Sequence, residues 1–431
     1  MKKKPVLSWM LYDFGNSAFA TTIMAAVLPV FYYDVAAKGV ENSLATSYWG
    51  YSQSIAVLII AILAPVLGAI SDFSAAKKKF LMFFAFMGMT ASVLLAFVGE
   101  GDYLLASLLL IVGTIGFSGG NAFYDAFLPE VSNEKSIDRV SSWGYAFGYI
   151  GGGILLAINL MMILNYQWFG LPDTLTATQL SFVSVGVWWL VFAIPLFKNV
   201  KEEKKQRPRR TESYAKIGFK RVGRTIRELP QFKHLLIFLL AFWLYNDGIS
   251  TIIKMATIYG RDIGINSNSL ILALLITQFV GIPFAFLFGY LADKISAKRA
   301  LTLALYIYLA IVALGYFMTS ALHFYLLAIC VGMVQGGAQS LSRSIFGKMV
   351  PADRHAEFYG FYGISSKFAA IFGPFVFALV GQLSGSSRLG ILSLMVFFIG
   401  GIALLKFVDV EKGAHQAREH TRNQQKTIVK T

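Results

Sequence analysis

Twelve runs of mainly apolar residues, each long enough to cross a lipid bilayer, divide this 431-residue chain. They cover 9–33, 47–70, 80–98, 104–128, 141–164, 178–197, 234–258, 269–291, 300–319, 322–347, 358–383 and 388–408. A membrane helix needs about 20 such residues. Hydrocarbon admits only backbones that satisfy their own hydrogen bonds. The runs therefore predict an all-α membrane protein with twelve transmembrane helices. Composition agrees, with 56% hydrophobic and 14% charged residues, against about 25% charged in soluble proteins. The single cysteine, Cys330, excludes an intrachain disulfide and a cysteine-built metal site. The start MKKKP and the triplet Ala18-Phe19-Ala20 mimic a signal peptide. Its apolar region would contain Asp13, and the run continues to Tyr33, so no cleavage is expected.

The formal charge of +15 would suggest nucleic acid in a soluble chain. Its placement says otherwise. With both termini cytoplasmic, the cytoplasmic segments, counting Lys406 at the end of the last run, hold 32 Lys and Arg, the opposite side holds Lys38, Arg261 and Arg388, the last at the start of that run, and Lys254, Arg343 and Lys367 lie deeper within runs. This follows the positive-inside rule. The expected location is the inner or plasma membrane. The expected partners are the lipid bilayer, whose anionic headgroups a basic face attracts, and a small-molecule substrate, but not nucleic acid. The longest polar interior stretch, 198–233, splits the runs six and six. The expected organisation is a six-helix bundle over 1–197, a basic cytoplasmic linker over 198–233, a second bundle over 234–408 and a basic tail over 409–431. Within the linker, Tyr214 to Leu229 can form an amphipathic surface helix; a solvated linker is the alternative.

The halves repeat each other. Asn16-Ser-Ala-Phe-Ala-Thr21 in run 1 corresponds to Asn246-Asp-Gly-Ile-Ser-Thr251 in run 7. "GAISDFSAAKKK" (Gly68 to Lys79) after run 2 corresponds to "GYLADKISAKR" (Gly289 to Arg299) after run 8. Gly119-Gly120 and then Pro129 correspond to Gly336-Gly337 and then Pro351. The loop motif places a glycine, Gly68 or Gly289, where two helices approach. Four residues on, Asp72 or Asp293 can accept bonds from a helix N-terminus or a base. Two copies six runs apart suggest a conformational latch.

These loops resemble the signature of the major facilitator superfamily, and the resemblance covers all twelve runs. "WMLYDFGNSAFATTIMAAVLPVFY" and "GGNAFYDAFLPEV" are similar to the vacuole-effluxer-like family, named for fungal vacuolar amino-acid exporters. The resemblance implies the major facilitator fold, two pseudo-symmetric six-helix bundles around a central cavity lined by runs 1, 2, 4, 5, 7, 8, 10 and 11. The loops depart from the superfamily pattern at Phe73, which replaces a base, and at Ser74/Ala75 and Ser296/Ala297, which replace Gly-Arg. A weakened first latch is the implied consequence. Gly144-x-x-x-Gly148-Tyr149-x-x-Gly152-Gly153 resembles the antiporter motif, although small-residue packing explains it equally. Gly116-x-Ser118-x-Gly120 matches a nucleophile elbow but lies within an apolar run with no strand before it.

Polar groups inside the runs are costly in lipid and mark cavities or partners. Candidate substrate-binding residues are Asn16, Thr21, Thr22, Gln53, Asn121, Tyr124, Asn246, Lys254, Gln335 and Gln339. Candidate ion-coupling residues are Asp247, Lys367 and Asp13. Asp125 and Arg343, at matching positions of the two halves, form a candidate gate. Each has a plainer alternative: Asp13 and Asp125 reach cytoplasmic water, Lys254 snorkels, Asn16 and Asn246 bond across helices, and Asp125 pairs with Lys77 or Arg139. No cofactor, metal or catalytic site is expected. The expected function is secondary transport of a small polar solute by alternating access, with amino-acid or related metabolite efflux as the leading class and the proton as coupling ion, in a monomer. Rivals are a proton-coupled importer or drug exporter of the same fold, a polytopic enzyme, and a non-transporting sensor.

Overall fold

The computed structural model describes the backbone of residues 3–40, 42–202, 213–265 and 267–430. Among them there is no strand. Eleven helices are long and apolar enough to cross a membrane. The remaining run, 358–383, lies in the helix His355–Ser384, whose described apolar part is Phe372–Ser384. The first-half spans are α1 (Lys3–Ala36), α2 (Asn42–Ser74), α3 (Lys77–Leu94), α4 (Tyr103–Ala126), α5 (Ile137–Leu164) and α6 (Thr174–Asn199). A linker helix, α7 (Tyr214–Glu228), follows. The second-half spans are α8 (Lys233–Asp262), α9 (Ser267–Ile295), α10 (Ala297–Tyr316), α11 (Ala321–Met349), α12 (His355–Ser384) and α13 (Ser387–Lys406), before a tail helix, α14 (Val410–Lys430). The apolar runs became helices because only helices close their hydrogen bonds within one segment.

The chain forms two compact units. Unit 1 comprises Met1–Val131 and Phe147–Phe219; unit 2 comprises Ser132–Ala146 and Lys220–Thr431. Helix α5 therefore passes from unit 2 into unit 1 after Ala146, and α7 passes from unit 1 into unit 2 after Phe219.

Helix α1 is not uniform. Phe19–Ala26 is a π-helix, and the Val27 N–H donates to the Thr22 carbonyl five residues back. Pro29 follows and has no N–H to close a normal turn onto Ala25. Wide turns of this kind mark functional positions more often than ordinary helix does, and this one carries Thr21 and Thr22. Helices α3 and α4 meet backbone to backbone. A Cβ on Gly116 would strike the backbone of Gly88 and Phe84. Gly116 of the apparent nucleophile elbow is thus a packing glycine.

Both signature loops turn through a non-glycine residue in the left-handed region, Ala75 (φ 47°) and Ser296 (φ 85°). The two loops therefore align Ala75 with Ser296, the register set by Gly68 with Gly289 and Asp72 with Asp293, whereas the comparison of Ser74/Ala75 with Ser296/Ala297 is one residue out. Ser296 offsets its strain by accepting the Arg299 N–H as helix cap; Ala75 has no such group. Left-handed alanine costs about 1–2 kcal/mol. Ala75→Gly should raise stability by up to about 1 kcal/mol after the extra chain entropy of glycine, read as a higher thermal midpoint in detergent.

Candidate functional site

In unit 1 the polar residues of α1 meet α4 and α5. Asn16, 1% exposed, donates its Nδ2 to Asn121 Oδ1 at 2.6 Å. The Tyr124 hydroxyl donates to Asp13 Oδ2 at 3.3 Å, and Ser17 Oγ donates to Asp13 Oδ1 at 3.4 Å. The Tyr124 ring stacks on Trp9, with centroids 4.4 Å apart, and its carbonyl accepts the Trp9 indole N–H at 3.0 Å. Thr21 Oγ1 lies 3.2 Å from the carbonyls of both Ser17 and Gly152. Thr22 is fully buried, and Gln53 and Asp125 are half-buried. Gly148 and Gly152 of the antiporter-like stretch face Asp13, Ser17 and Thr21, so their missing side chains let α5 close on α1.

Unit 2 repeats this contact with different chemistry. Asn246 and Asp247 are buried half-way along α8. Both Asp247 carboxylate oxygens accept the Gly373 N–H of α12 at 2.9 Å, and Thr251 Oγ1 donates to the Asp247 carbonyl at 2.7 Å. The repeat equates Thr21 with Thr251 and Ser17 with Asp247, and the structure equates Gly152 with Gly373 as the glycine facing them. The carboxylate is thus displaced by one helical turn between the units: Asp13 in unit 1, Asp247 in unit 2. Gly373 precedes Pro374, which leaves α12 without one backbone donor at the next position. The Asp247 side chain binds α12 at this break in its hydrogen-bond ladder. Gln335 and Gln339 are half-buried on α11, and Lys254 is exposed. Lys367 lies on α12, but its side chain is outside those described.

The signature aspartates differ. Asp72 lies 4.0 Å from Lys77 Nζ, and Lys77 bonds Glu130; all three lie in unit 1, with Asp72 and Lys77 buried and Glu130 half-buried. Gly68 is buried and its carbonyl accepts the Ser71 hydroxyl at 2.8 Å. Asp293 accepts Arg139 Nε at 2.7 Å within unit 2, and a Cβ on Gly289 would touch Ser142. Lys77 and Arg139, the cations considered for Asp125, are thus bonded to Glu130 and Asp293.

Arg343 is 3% exposed. Its Nε donates to Ser141 Oγ at 2.9 Å, its Nη2 donates to the Ser141 carbonyl at 2.8 Å, and its guanidinium lies 4.4 Å from the Tyr145 ring centroid. Around it, Ser141 Oγ donates to the Ser340 carbonyl at 2.7 Å, Ser142 and Ser340 hydroxyls lie 3.0 Å apart, and Lys348 bonds Asp138 at 2.5 Å. The start of α5 is held to α9 and α11 by five of its own side chains, Asp138, Arg139, Ser141, Ser142 and Tyr145. Of these, the sequence had singled out Arg139 alone, as an alternative partner for Asp125. The one available signal was their polarity at the beginning of an apolar run. A further cleft of about 840 Å³ in unit 2, bounded by Lys298, Lys348, Lys406 and Arg418, shares none of the candidate residues.

A model of the family described as vacuole effluxer Atg22 like matches residues 1–418. The chain belongs to the vacuole effluxer Atg22-like family. This effluxer-like chain is 42% identical over 408 residues to an uncharacterised transporter of major facilitator type from Bacillus subtilis (strain 168), YxiO, with 94% of each chain covered. It is 27% identical to the autophagy-related protein 22 of Coccidioides immitis (strain RS), with 88% of this chain and 75% of that one covered. Among solved structures it superposes on the major facilitator transporter FucP, in the outward conformation, with a TM-score of 0.72 at 14% identity, covering 95% of this chain and 99% of that one. The human organic anion transporter MFSD10 gives 0.71 at 13% identity, covering 94% and 100%. The fold is that of the major facilitator superfamily, with two six-helix halves. The effluxer-like chain is a multi-pass membrane transporter, not an enzyme.

Proposed function

We propose that the protein exports a small zwitterionic solute, an amino acid or a close relative, by alternating access, driven by protons exchanged at Asp247. The observation that carries this is the buried Asp247 carboxylate held on the Gly373 N–H of α12 at 2.9 Å. An ionised carboxylate only accepts hydrogen bonds, whereas the protonated form also donates one. Proton exchange at Asp247 therefore changes what α8 offers to α12 and to a bound solute. A carboxylate within a membrane span marks an ion or substrate path by default. The efflux direction is supported by the family's description, and the amino-acid class by the family resemblance in the sequence. Neutral donors and acceptors at Asn246, Gln335 and Gln339, with Asp247 and Lys254 on the same helix, suit a zwitterion.

The proposed location is the plasma membrane with both termini cytoplasmic, following the distribution of Lys and Arg. The direct test is solute movement in everted vesicles under an imposed pH gradient, with candidate solutes drawn from the metabolites that differ between deletion and overexpressing cells. Accumulation of an amino acid inside acid-interior vesicles is the expected outcome; the absence of any gradient-dependent flux would remove proton-driven efflux. Asn246→Ala and Gln335→Ala should each weaken binding of that solute by about 1–3 kcal/mol, measured by titration calorimetry. Wild-type affinity in both variants would place the solute elsewhere.

A further inference from the structure

The linker helix α7 presents two unlike faces. Its inner face is fixed to protein at both ends. Gly218 sits against the Val66 and Ile70 side chains near the end of α2, and Ile217 is buried. Further along, Arg354 donates from Nη1 to Thr225 Oγ1 at 3.1 Å and to Glu228 Oε2 at 2.7 Å, and Arg221 Nε lies 3.8 Å from Glu357. Arg354 and Glu357 are 3% and 0% exposed, so these anchors set the rotation of α7 about its axis. What remains outward is a stripe at i, i+4 and i+7: Phe219 at 61% exposure, Gly223, and Ile226 at 56%. Beside it run Lys216, Lys220, Arg224 and Arg227, all exposed. The acid of α7, Glu228, is bonded to Arg354.

An exposed phenylalanine and isoleucine beside a row of cations is unsuited to water and suited to the headgroup level of a bilayer. The connections put α7 there. Four residues separate Glu228 from Lys233, the first residue of span α8, and the five steps between them reach at most about 18 Å. At the other end, α7 packs on the last turns of span α2. We infer that α7 is an interfacial anchor: its Phe219–Ile226 ridge enters the leaflet on the basic side of the protein, and Lys216, Lys220, Arg224 and Arg227 bind the phosphates of anionic phospholipids in that leaflet. Each cation near an anionic surface adds to the attraction, and salt screens it.

The test uses the full chain and Gly223, where an added side chain meets nothing within 4 Å. A Cys330→Ser/Gly223→Cys protein is labelled with a polarity-sensitive fluorophore. It is reconstituted into vesicles of phosphatidylcholine alone or with phosphatidylglycerol. Anionic lipid should shift the emission to the blue and cut quenching by the neutral quencher acrylamide several-fold, and high salt should partly reverse both. Arg224→Glu with Arg227→Glu should abolish the dependence on anionic lipid, and the milder Arg224→Gln with Arg227→Gln should reduce it. A probe equally open to acrylamide in both lipid mixtures overturns the anchor. A probe equally shielded in both mixtures, and unchanged by Arg224→Glu with Arg227→Glu, also overturns the anionic-lipid contact.

Discussion

Asp247→Asn is expected to abolish pH-driven solute accumulation, down to the level of empty vesicles, while exchange of labelled for unlabelled solute continues. Asparagine keeps a side-chain oxygen to accept the Gly373 N–H, the contact seen at 2.9 Å. The α8–α12 contact therefore survives, and the variant should fold and be purified like the parent. What it loses is the ability to alternate between a charged acceptor and a neutral donor. Exchange needs both conformations but no net proton movement, so it isolates that loss. Loss of accumulation together with exchange would point to solute binding or folding. Unchanged accumulation would remove Asp247 from coupling. The same substitution logic applied to Asp13→Asn separates the two carboxylates. Asp13 is held by the side chains of Tyr124 and Ser17 rather than by a backbone N–H next to a proline. It should affect transport less if the coupling group is in unit 2.

How far the sequence revealed these features depended on the range of the forces involved. Hydrophobic length is a local property and identified the spans, and short matched motifs identified the repeat and the superfamily; the linker helix fell within a residue of its expected range, Tyr214–Glu228. The equivalence of Thr21 with Thr251 was legible as a sequence match. Its meaning, a polar turn closing on Gly152 or Gly373, was not, because it depends on a helix more than 100 residues away. Asn16 was expected to face water or substrate. It is buried on Asn121, the cross-helix alternative, and an amide pattern alone cannot separate the two. The latch aspartates looked alike in sequence. Asp72 found its base within its own loop, whereas Asp293 found Arg139, and only packing distinguishes them. The proposed gate pairing of Asp125 with Arg343 joined two charges at matching positions. Sequence could not show that hydroxyl, carbonyl and ring groups of α5 already occupy much of the Arg343 guanidinium.

Arg343→Ala should free the first turns of α5 from unit 2. The guanidinium makes two hydrogen bonds to Ser141, one to its hydroxyl and one to its carbonyl, and lies over Tyr145. Hydrogen bonds from a charged donor contribute about 1.5–3 kcal/mol each, and a desolvated cation–π contact adds up to about 2 kcal/mol. Losing even about 3 kcal/mol of this would raise the population of locally open α5 starts by roughly 100-fold. Deuterium uptake over residues 137–146 should therefore accelerate about 100-fold, while α9 and the far half of α5 keep their protection. The functional consequence follows from the chain path. The contacts of its start lie within unit 2, and helix α5 leaves that unit after Ala146. A start held this firmly, with Lys348–Asp138 and Arg139–Asp293 on either side, opposes detachment. Arg343→Ala should then raise the reactivity of a cysteine placed at Ser142 toward a water-soluble thiol reagent and alter the transport rate without changing solute affinity. Ser141→Ala removes only the hydroxyl and leaves the carbonyl bond and the ring contact, so it should give a small part of the effect. Equal exchange rates in Arg343→Ala and the parent would show that the Arg343 contacts do not hold the start of α5.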